Sequence, residues 1–481
     1  MRLGVGYLSC LDNICVPVVA LLCVCIGVLA TVVSYMRKTK IISTIGPSSF
    51  SEAVVKEMFS AGSTIFRINC SHTSTVDLGT AIDSLRLWAP SAAIMVDIQG
   101  PKLRYLGDTM TVSPGDIVTF PTASLNLAVN QVDLKGGDRI LIHDGRIEFV
   151  VVAVEPGSLT AKALCAGLVT NNKGVNLPDT IYSGEKLSAK DIEDIAVASA
   201  KNVEWLAISF VDSSEDILKV RSLAGSRINI LSKIERPEAI TNLKEICSVS
   251  DAVMVARGDL GVELPFYTIP KLQSSVAKVA NSYGIPVVCA TEMLESMIVS
   301  SRPTRAEVSD ISSAVRDGFD AVMLSGETAV GKHPALVVEV LAQVASQAEA
   351  EHKIETTFAN TNPRKAAVVS AAVELAERVS SKFLVALTFT GYSAGMLAAC
   401  RPLMPIIAVT PDAAAARRLQ LYKGISPYVV KRGKDFEESI SITLKFLRDS
   451  GMLASQDDIV ICASRISPRK DADTVWHHRE P

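Results

Sequence analysis

Residues 228–261 read INILSKIERPEAITNLKEICSVSDAVMVARGDLG, and the fold class can be inferred from them. It contains two short apolar runs, Ile228–Ile234 and Ala252–Val255, and each is followed by charged residues and a helix-like segment. Short runs rich in β-branched residues and bounded by polar or glycine residues are typical of buried parallel strands. Alternation of such strands with helices indicates an α/β fold with a parallel sheet.

The same pattern extends in both directions along the chain. Six further runs bring the total to eight: Lys40–Thr44, Thr64–Ile68, Ala93–Asp97, Trp205–Ser209, Pro286–Ala290 and Ala321–Leu324. Helical patterns separate most of them, for example at Ser51–Ser60 and Ala306–Arg316. Eight strands that alternate with helices predict a (β/α)8 TIM barrel, whose working groups lie at the C-terminal ends of the strands.

The gap between the third and fourth runs is too long for one strand–helix unit, because it extends from Asp97 to Trp205. Turn signals divide it into short β-rich runs, at PGD (114–116), HDG (143–145) and EPG (155–157). We therefore expect residues 100–178 to form an inserted small β-barrel domain on the catalytic end of the barrel, where it acts as a lid. An insert without a gating role is the alternative. The barrel then comprises residues 37–99 and 179–350.

Residues 351–465 show a different pattern and are expected to form a C-terminal open α/β domain of regulatory type. Helical patterns occupy Ala366–Ser380, Ala394–Cys400 and Phe436–Ser450, and strand patterns occupy Phe383–Thr388, Ile406–Thr410 and Asp458–Ala463. Residues 466–481 are polar and carry no strand pattern. The sequence therefore predicts a polar tail without a last strand.

Residues 1–36 differ from the rest, because Val16–Val33 is almost purely apolar and is followed by Arg37 and Lys38. About 18 apolar residues are just sufficient to span a bilayer. Basic residues after such a span would leave the remaining chain on the cytoplasmic side. The segment fits a membrane anchor, a targeting sequence for an organelle or a misassigned gene start.

Charge and cysteine content limit the function classes. The net charge is −3, which offers no electrostatic footprint for nucleic acid. Four of the ten cysteines precede residue 26, and the others are scattered singly through apolar runs without zinc-type spacing. Reduced thiols in a cytoplasmic compartment are therefore the default expectation.

The chemistry is concentrated at four strand ends: LSKIE (231–235), ARGDLG (256–261), CATEML (289–294) and MLSGET (323–328). Lys233 and Glu235 are two residues apart on a strand, so their side chains point to the same side. Glu235 and Asp259 offer the hard oxygen ligands that Mg²⁺ or Mn²⁺ prefers, and Lys233 can neutralise charge on a phosphoryl group. These residues predict a divalent metal beside an anionic, phosphate-bearing substrate. The alternative is that Lys233 only forms an internal salt bridge with Glu235.

Long motifs in a fixed order relate the chain to a known family. They are TKIISTIGPSS (39–49), FRINCSH (66–72), KGVNLP (173–178), SKIE (232–235), MVARGDLGVE (254–263), CATEMLESM (289–297), RPTRAEVSD (302–310) and MLSGETA (323–329). Over roughly residues 37–465 the chain resembles the pyruvate kinases. The resemblance implies a Mg²⁺-dependent (or Mn²⁺-dependent) glycolytic enzyme, a homotetramer, that transfers the phosphoryl group of phosphoenolpyruvate to ADP and gives pyruvate and ATP.

The resemblance also assigns roles to individual residues. The catalytic residues are Arg67, Lys233, Thr291 and Ser325, and the metal ligands are Glu235 and Asp259. The substrate contacts are Arg67, Lys233, Gly258, Asp259 and Thr291. The nucleotide contacts are Asn69, His72, Arg104 and Lys173. Thr291 is expected to help place the proton that the enolate receives. Gly258 has no side chain, so backbone amides near Asp259 can approach the substrate carboxylate.

One departure from the family pattern concerns the monovalent cation that many of its members use. The matching positions here are Asn69, Ser71, Asp97 and Ile98, with Ile98 where K⁺-dependent members carry threonine. Lys102 stands where those members carry glutamate. Because the Lys102 ammonium can supply the charge of a bound K⁺, we expect that K⁺ is not required. The alternative is that Lys102 faces solvent at the root of the lid.

A second departure lies in the loop LTFTGYSAG (387–395), which resembles an effector loop through Thr388, Thr390 and Ser393. Phe389 occupies a position where a basic residue often holds a sugar phosphate, so control by a sugar bisphosphate is not expected. Two alternative hypotheses remain besides an active enzyme. A non-catalytic metabolite-binding homologue would lack Lys233, Glu235, Asp259 or Thr291, and a membrane-tethered scaffold would have a degraded catalytic domain.

Overall fold

The computed structural model describes residues 37–125, 133–180, 186–349, 363–464 and 472–481. Within these ranges no helix is both long and apolar enough to cross a membrane. The apolar run Val16–Val33 lies outside the described residues, so its role stays a prediction. The cysteines within the described ranges are all free thiols.

Eight parallel strands close into a barrel. They are β1 (Lys40–Ile45), β2 (Ile65–Asn69), β3 (Ala93–Ile98), β12 (Trp205–Ile208), β13 (Asn229–Ile234), β14 (Ala252–Ala256), β15 (Val287–Ala290) and β16 (Ala321–Leu324). Each strand pairs with its neighbour in chain order, and β16 pairs with β1 to close the ring. Every one of the eight predicted runs lies on one of these strands, so the predicted (β/α)8 fold is confirmed.

Helices surround the barrel and cover its outer face. They are α1 (Glu52–Ala61), α2 (Thr75–Trp88), α3 (Ala189–Ala200), α4 (Ser214–Ala224), α5 (Pro237–Thr241), α6 (Leu243–Val249), α7 (Arg257–Glu263), α8 (Ile269–Tyr283), α9 (Arg305–Arg316), α10 (Gly326–Ala329) and α11 (Pro334–Glu349). Both α3 and α9 begin with a capping box, formed by Ser188 with Asp191 and by Thr304 with Glu307. These caps satisfy N–H groups that the first helical turn would otherwise leave without partners.

The interior of the barrel is apolar at one end and polar at the other. The first residues of several strands, among them Ile65, Trp205 and Ala321, are fully buried together with Leu421 from the C-terminal part of the chain. Leu231 belongs to the same inner layer, and alternation along β13 places Lys233 on the same face one step further. The functional side chains therefore project from the C-terminal ends of the strands.

The insert (residues 100–178) forms antiparallel sheets between β3 and β12. Its strands are β4 (Arg104–Tyr105), β5 (Met110–Val112), β6 (Ile117–Pro121), β7 (Arg139–Ile142), β8 (Ile147–Glu155), β9 (Ser158–Ala163), β10 (Gly167–Val169) and β11 (Lys173–Asn176). The six-stranded sheet has the order β4-β11-β7-β8-β9-β6, and β5 pairs with β10. Tyr105, Phe120 and Phe149 stack edge-to-face in a core that is separate from that of the barrel.

The C-terminal part is an α/β sheet with helices on its faces. Its elements are α12 (Pro363–Arg378), β17 (Leu384–Leu387), α13 (Tyr392–Ala399), β18 (Ile406–Thr410), α14 (Ala413–Arg418), β19 (Ile425–Val429), α15 (Phe436–Asp449), β20 (Asp458–Ala463) and β21 (Thr474–Arg479). The strand order is β19-β18-β17-β20-β21. The predicted helices and strands of this part all occur, within a few residues of their expected ends.

The expectation of a missing last strand is wrong. Residues Thr474–Arg479 pair antiparallel with the whole of β20, from Ala463 opposite Thr474 to Asp458 opposite Arg479. This edge strand is polar and half-exposed on both faces, so it lacks the apolar run by which buried strands are recognised. The other edge strand, β19, was also not predicted, because it contains Pro427, which is tolerated at a sheet edge but weakens any strand pattern.

Several contacts tie the C-terminal sheet to the N-terminal end of the barrel. The Lys40 ammonium, at the start of β1, donates to the carbonyl of Ile425 at 2.5 Å. Arg401 forms a bidentate ion pair with Asp320, at 2.6 and 2.7 Å, directly before β16. The two parts of the chain therefore share a buried, charged interface opposite the functional end of the barrel.

Candidate active site

The Lys233 ammonium lies at the centre of the candidate site, inside the barrel. Its Nζ is 2.8 Å from Ser209 Oγ, 2.9 Å from Glu235 Oε1 and 3.4 Å from Asp97 Oδ1. Burial alone would lower the pKa of Lys233, but Asp97 and Glu235 raise it above its ordinary value. Lys233 therefore remains charged at any physiological pH and provides a fixed positive charge within reach of a ligand.

Arg67 supplies a second buried cation next to Lys233. Its Nε is 2.7 Å from Asp97 Oδ2, and its Nη1 donates to Thr44 Oγ1 at 3.0 Å. Burial would raise the pKa of Asp97, but Lys233 and Arg67 hold it below its ordinary value. Asp97 therefore stays ionised and orients both cations, and Nη2 of Arg67 remains available to an anionic group.

Glu235 and Asp259 form a carboxylate pair suited to a divalent metal. The Glu235 Oε2 accepts the Phe210 N–H at 2.7 Å, whereas Oε1 is buried and accepts no hydrogen bond from any described group. The 2.9 Å contact of Oε1 with Lys233 is an ion pair, and an oxygen with two lone pairs can still accept a further ligand. Burial raises the pKa of Glu235, despite the nearby Lys233.

These two carboxylates fit Mg²⁺ better than a metal that needs a full protein cage. Among the described residues there is no group of three or more His, Cys, Asp or Glu side chains able to hold a metal ion. Mg²⁺ commonly uses one or two carboxylates and completes its octahedral shell with water and substrate oxygens. The free Oε1 of Glu235 and the partly exposed Asp259, at the start of α7, meet this requirement.

Thr291 lies at the end of β15 in a conformation that is unusual for a β-branched residue. Its φ is 69°, in the left-handed region. Its Oγ1 donates to the carbonyl of Ala290 at 2.6 Å and accepts the N–H of Gly258 at 2.8 Å. A β-branched residue persists in this region only when its surroundings hold it there, and such strain is common at functional sites.

Arg257 is one of the groups that hold Thr291, and it was not predicted. Its Nη2 donates to the Thr291 carbonyl at 2.6 Å, and its Nη1 is 2.5 Å from Asp310 Oδ2. The signal was present in the sequence, because Arg257 and Asp310 both belong to motifs quoted above. Arg257 is thus a positioning residue for the loop that carries Thr291.

Ser325 caps the short helix α10, directly after β16. Its N–H donates to Glu327 Oε2 at 2.7 Å, and the other oxygen of Glu327 accepts the N–H of Leu294 at 3.0 Å. Glu327 therefore connects the loop after β16 to the loop after β15 that carries Thr291. The proximity supports a common pocket, while a role of Ser325 in proton transfer stays a prediction.

Comparisons with known proteins agree with this arrangement. The family model described as pyruvate kinase, barrel domain, matches residues 36–338, and that described as pyruvate kinase, alpha/beta domain, matches residues 366–475. A pyruvate kinase of Methylorubrum extorquens is 36% identical over 89% of this chain and 94% of its own length. A pyruvate kinase of Thermotoga maritima is 36% identical over 90% of this chain and 97% of its own.

The chain belongs to the pyruvate kinase family. A third relative, pyruvate kinase 2 of Synechocystis, is 37% identical over 87% of this chain and 76% of its own length. The family and the enzyme class predicted from the motifs are thereby confirmed. The roles of individual residues within this pyruvate kinase fold stay predictions that rest on the geometry.

The predicted nucleotide contacts fall into two groups. Asn69 ends β2, and its carbonyl accepts the N–H of the exposed His72 at 3.1 Å. Arg104 and Lys173 lie on the neighbouring strands β4 and β11 at the base of the insert, where Gly174 is paired with Arg104. Lys173 is paired with Tyr105, so the side chains of Arg104 and Lys173 leave opposite faces of this strand pair at the root of the insert, and their contacts with a nucleotide stay a prediction.

Lys102 does not face solvent freely. Its Nζ lies 3.5 Å from Asp259 Oδ1, and only 26% of its side chain is exposed. Its stem packs against β11, since a Cβ added to Gly174 would lie 3.1 Å from Lys102 Cε. The Lys102 ammonium is therefore held in the cleft between the insert and the predicted metal ligands.

The predicted effector loop lines a cavity of about 280 Å³ in the C-terminal part. Thr388, Thr390 and Ser393 line it as expected, together with Phe389. Lys431 and Arg432, which sequence reasoning missed, supply cations to the same cavity. They follow the edge strand β19, and the failure to recognise that strand concealed their position.

Ser209 was also missed as a site residue, although it ends one of the predicted runs. Its Oγ lies 2.8 Å from both Lys233 Nζ and the Ile98 carbonyl. Only the register of β12 against β3 and β13 brings these groups together, and that register is not visible in one sequence. Ser209 is thus a positioning residue for the Lys233 ammonium.

The variant Ser209→Ala should lower kcat about tenfold with little change in KM, because a hydrogen bond to a charged group is lost where charge develops. The matched control is Ser232→Ala, since Ser232 is buried on the next strand but bonds Ser250 on the other face of β13. Steady-state kinetics of both variants decide the matter. Equal losses in the two variants would show that Ser209 acts only through general stability.

Proposed function

We propose that this protein transfers the phosphoryl group of phosphoenolpyruvate to ADP, with formation of pyruvate and ATP and with dependence on Mg²⁺ or Mn²⁺. The main support is the buried Lys233 ammonium between Asp97 and Glu235, where Glu235 Oε1 can accept a further ligand. None of the residues whose loss would indicate a non-catalytic homologue is missing.

Arg67 and Lys233 are proposed to hold the phosphoryl group during transfer. The bond between phosphorus and the enol oxygen breaks while a terminal ADP oxygen forms the new bond to phosphorus. Charge on the transferred oxygens is stabilised by groups that are already oriented, which is the main source of catalysis in this reaction class. The metal, when bound by Glu235 and Asp259, supplies Lewis-acid stabilisation of substrate oxygens.

The enolate that remains must take up a proton at carbon. The Thr291 hydroxyl stands beside the Gly258 N–H, where the proposed substrate carboxylate would lie. We propose that Thr291 helps place the proton donor, and that Ser325 belongs to the same relay. The nucleotide is proposed to lie between Asn69 and His72 on one side and Arg104 and Lys173 on the other.

The insert is proposed to close over the nucleotide as a lid. Support comes from the pairing of β4 with β11, which brings the two ends of the insert together. Contacts between the insert and the candidate site give further support. Asn176 of β11 donates to Glu263 Oε1 of α7 at 2.8 Å, and Lys102 reaches Asp259. A homotetramer and an effector role for the cavity at Thr388, Thr390 and Ser393 likewise remain proposals from the family resemblance.

The direct test is pyruvate formation from phosphoenolpyruvate and ADP after removal and readdition of Mg²⁺. We expect activity only with the metal, and Glu235→Gln should lower kcat at saturating Mg²⁺ by about 10²-fold or more because a buried ligand charge is lost. Glu238→Gln, three residues further on α5, is the matched control and should behave like the unaltered enzyme. Absence of turnover in the full-length protein with every substrate present would favour the metabolite-binding alternative.

We further propose that K⁺ is not required, although members of this family generally need it. Support comes from the location of Lys102 next to Asp259, and from Ile98, which is fully buried and offers no side-chain oxygen to a cation. A bound K⁺ beside this ammonium would place like charges together in a confined site.

Activity should therefore be the same in tetramethylammonium buffer with and without K⁺. Lys102→Glu should create a many-fold activation by K⁺, whereas Lys135→Glu, on the exposed surface of the insert, should not. A many-fold rise of the unaltered enzyme on addition of K⁺ would refute the proposal.

A further inference from the structure

A cavity of about 40 Å³ lies between the barrel and the C-terminal part, at the end of the barrel opposite Lys233. Its lining includes Lys38, which precedes β1, Glu349 at the end of α11, and Arg401 and Lys423 of the C-terminal part. A site needs about 10–15 Å³ of such space for one water molecule. The cavity is therefore large enough for a small polyatomic ion and too small for a nucleotide.

The charged side chains that line this cavity are mostly cations. Lys38, Arg401 and Lys423 face one carboxylate of the lining, Glu349, and Arg401 is also paired with Asp320 behind it, which leaves one positive charge without a carboxylate partner. Burial lowers the pKa of Lys423 to about 8, although Glu349 and Asp320 are near. The neighbouring cations Arg401 and Lys38 lower the pKa of Lys423 further, so an anion in the cavity would stabilise its charged form.

The same three cations retain hydrogen-bond donors that no described group uses. Arg401 is 8% exposed. Its two Nη atoms donate to Asp320, Asn281 and the Gly318 carbonyl, whereas its Nε has no partner among the described groups.

The two lysines complete this set of donors. The Lys423 ammonium donates to two carbonyls, of Val315 at 3.2 Å and Phe319 at 3.1 Å. The Lys38 ammonium donates to the carbonyls of Pro402 at 3.2 Å and Leu403 at 2.5 Å. Since an ammonium has three N–H donors, each lysine keeps one.

We propose that this cavity binds a small oxyanion of the class of inorganic phosphate, held by Lys38, Arg401 and Lys423. The excess of positive charge favours an anion, and three donors match a tetrahedral ion with several acceptor oxygens. The site goes beyond the proposed phosphoryl transfer, because it lies at the other end of the barrel and uses none of the catalytic residues. It is also separate from the cavity of the C-terminal part that contains Lys431 and Arg432.

The ligands come from both parts of the chain, so the anion would join them. Lys38 leads into the barrel, whereas Arg401 and Lys423 belong to the C-terminal sheet region. An ion that binds only when the two parts are docked stabilises that arrangement by mass action. Phosphate should therefore raise the unfolding temperature and strengthen the contact between the barrel and the C-terminal part.

The test uses the full-length protein and inorganic phosphate, by titration calorimetry and by Tm at constant ionic strength with chloride as the balancing ion. Lys38→Met and Lys423→Met should each weaken phosphate binding about ten- to a hundredfold and remove the rise in Tm. Lys233→Met reports binding in the active site, and Arg432→Met reports binding in the C-terminal cavity. Both control variants should keep the phosphate-dependent rise in Tm.

Lys38 is partly exposed, so Lys38→Met keeps the test decisive if Lys423→Met fails to fold; Lys38→Arg, which keeps the charge, should retain binding. The proposal is overturned if phosphate binding survives Lys38→Met and is lost in Lys233→Met or Arg432→Met. It is also overturned if chloride raises Tm as much as phosphate at equal ionic strength. Failure of phosphoryl transfer in these assays has no bearing on this binding result.

Discussion

The ion pair network around the Lys233 ammonium fixes the geometry of the candidate active site. Two cations, Arg67 and Lys233, and two carboxylates, Asp97 and Glu235, are buried together inside the barrel. Such a group is a poor source of stability, because the desolvation of each charge offsets much of the attraction between them. Its value is orientation, since each charge is fixed before a substrate arrives.

The fold accommodates this buried charge because each barrel strand packs apolar side chains at its N-terminal end and carries polar side chains at its C-terminal end. The N-terminal ends of the strands are filled with apolar side chains such as Trp205 and Leu231, and the joint with the C-terminal part closes that end through Leu421. Polar groups then appear only at the other end, where parallel strands and following helix starts meet. Arg257 and Glu327 tie the adjacent loops to each other, so Thr291 can remain in a strained conformation.

Much of this organisation could be predicted from the sequence, because buried parallel strands have a strong local signature. The eight barrel strands are short apolar runs, and the charged residues that follow several of them indicate that the site lies at the C-terminal ends of the strands. The edge strands β19 and β21 could not be recognised, since Pro427 interrupts one and the other is polar on both faces. Contacts that depend on register, such as Ser209 with Lys233, need the three-dimensional structure.

Two of the alternatives that the sequence left open concern the same geometry. The salt bridge between Lys233 and Glu235 does exist, at 2.9 Å, but it is one contact of a larger network that leaves Glu235 Oε1 free for a further ligand. Lys102 is likewise held beside Asp259 instead of pointing into solvent. For both lysines the sequence predicts a positive charge, but only the three-dimensional structure shows which carboxylates lie next to it.

The most direct measurement is the single-turnover rate of phosphoryl transfer in Lys233→Met, with binding of Mn²⁺ and phosphoenolpyruvate measured separately. Lys190→Met, on the outer helix α3 and paired with Asp194, is the matched control for loss of a partly buried lysine. The account predicts a loss of about 10²–10³-fold in the rate for Lys233→Met, with both ligands still bound, and a near-normal rate for the control. A near-normal rate in Lys233→Met would contradict it.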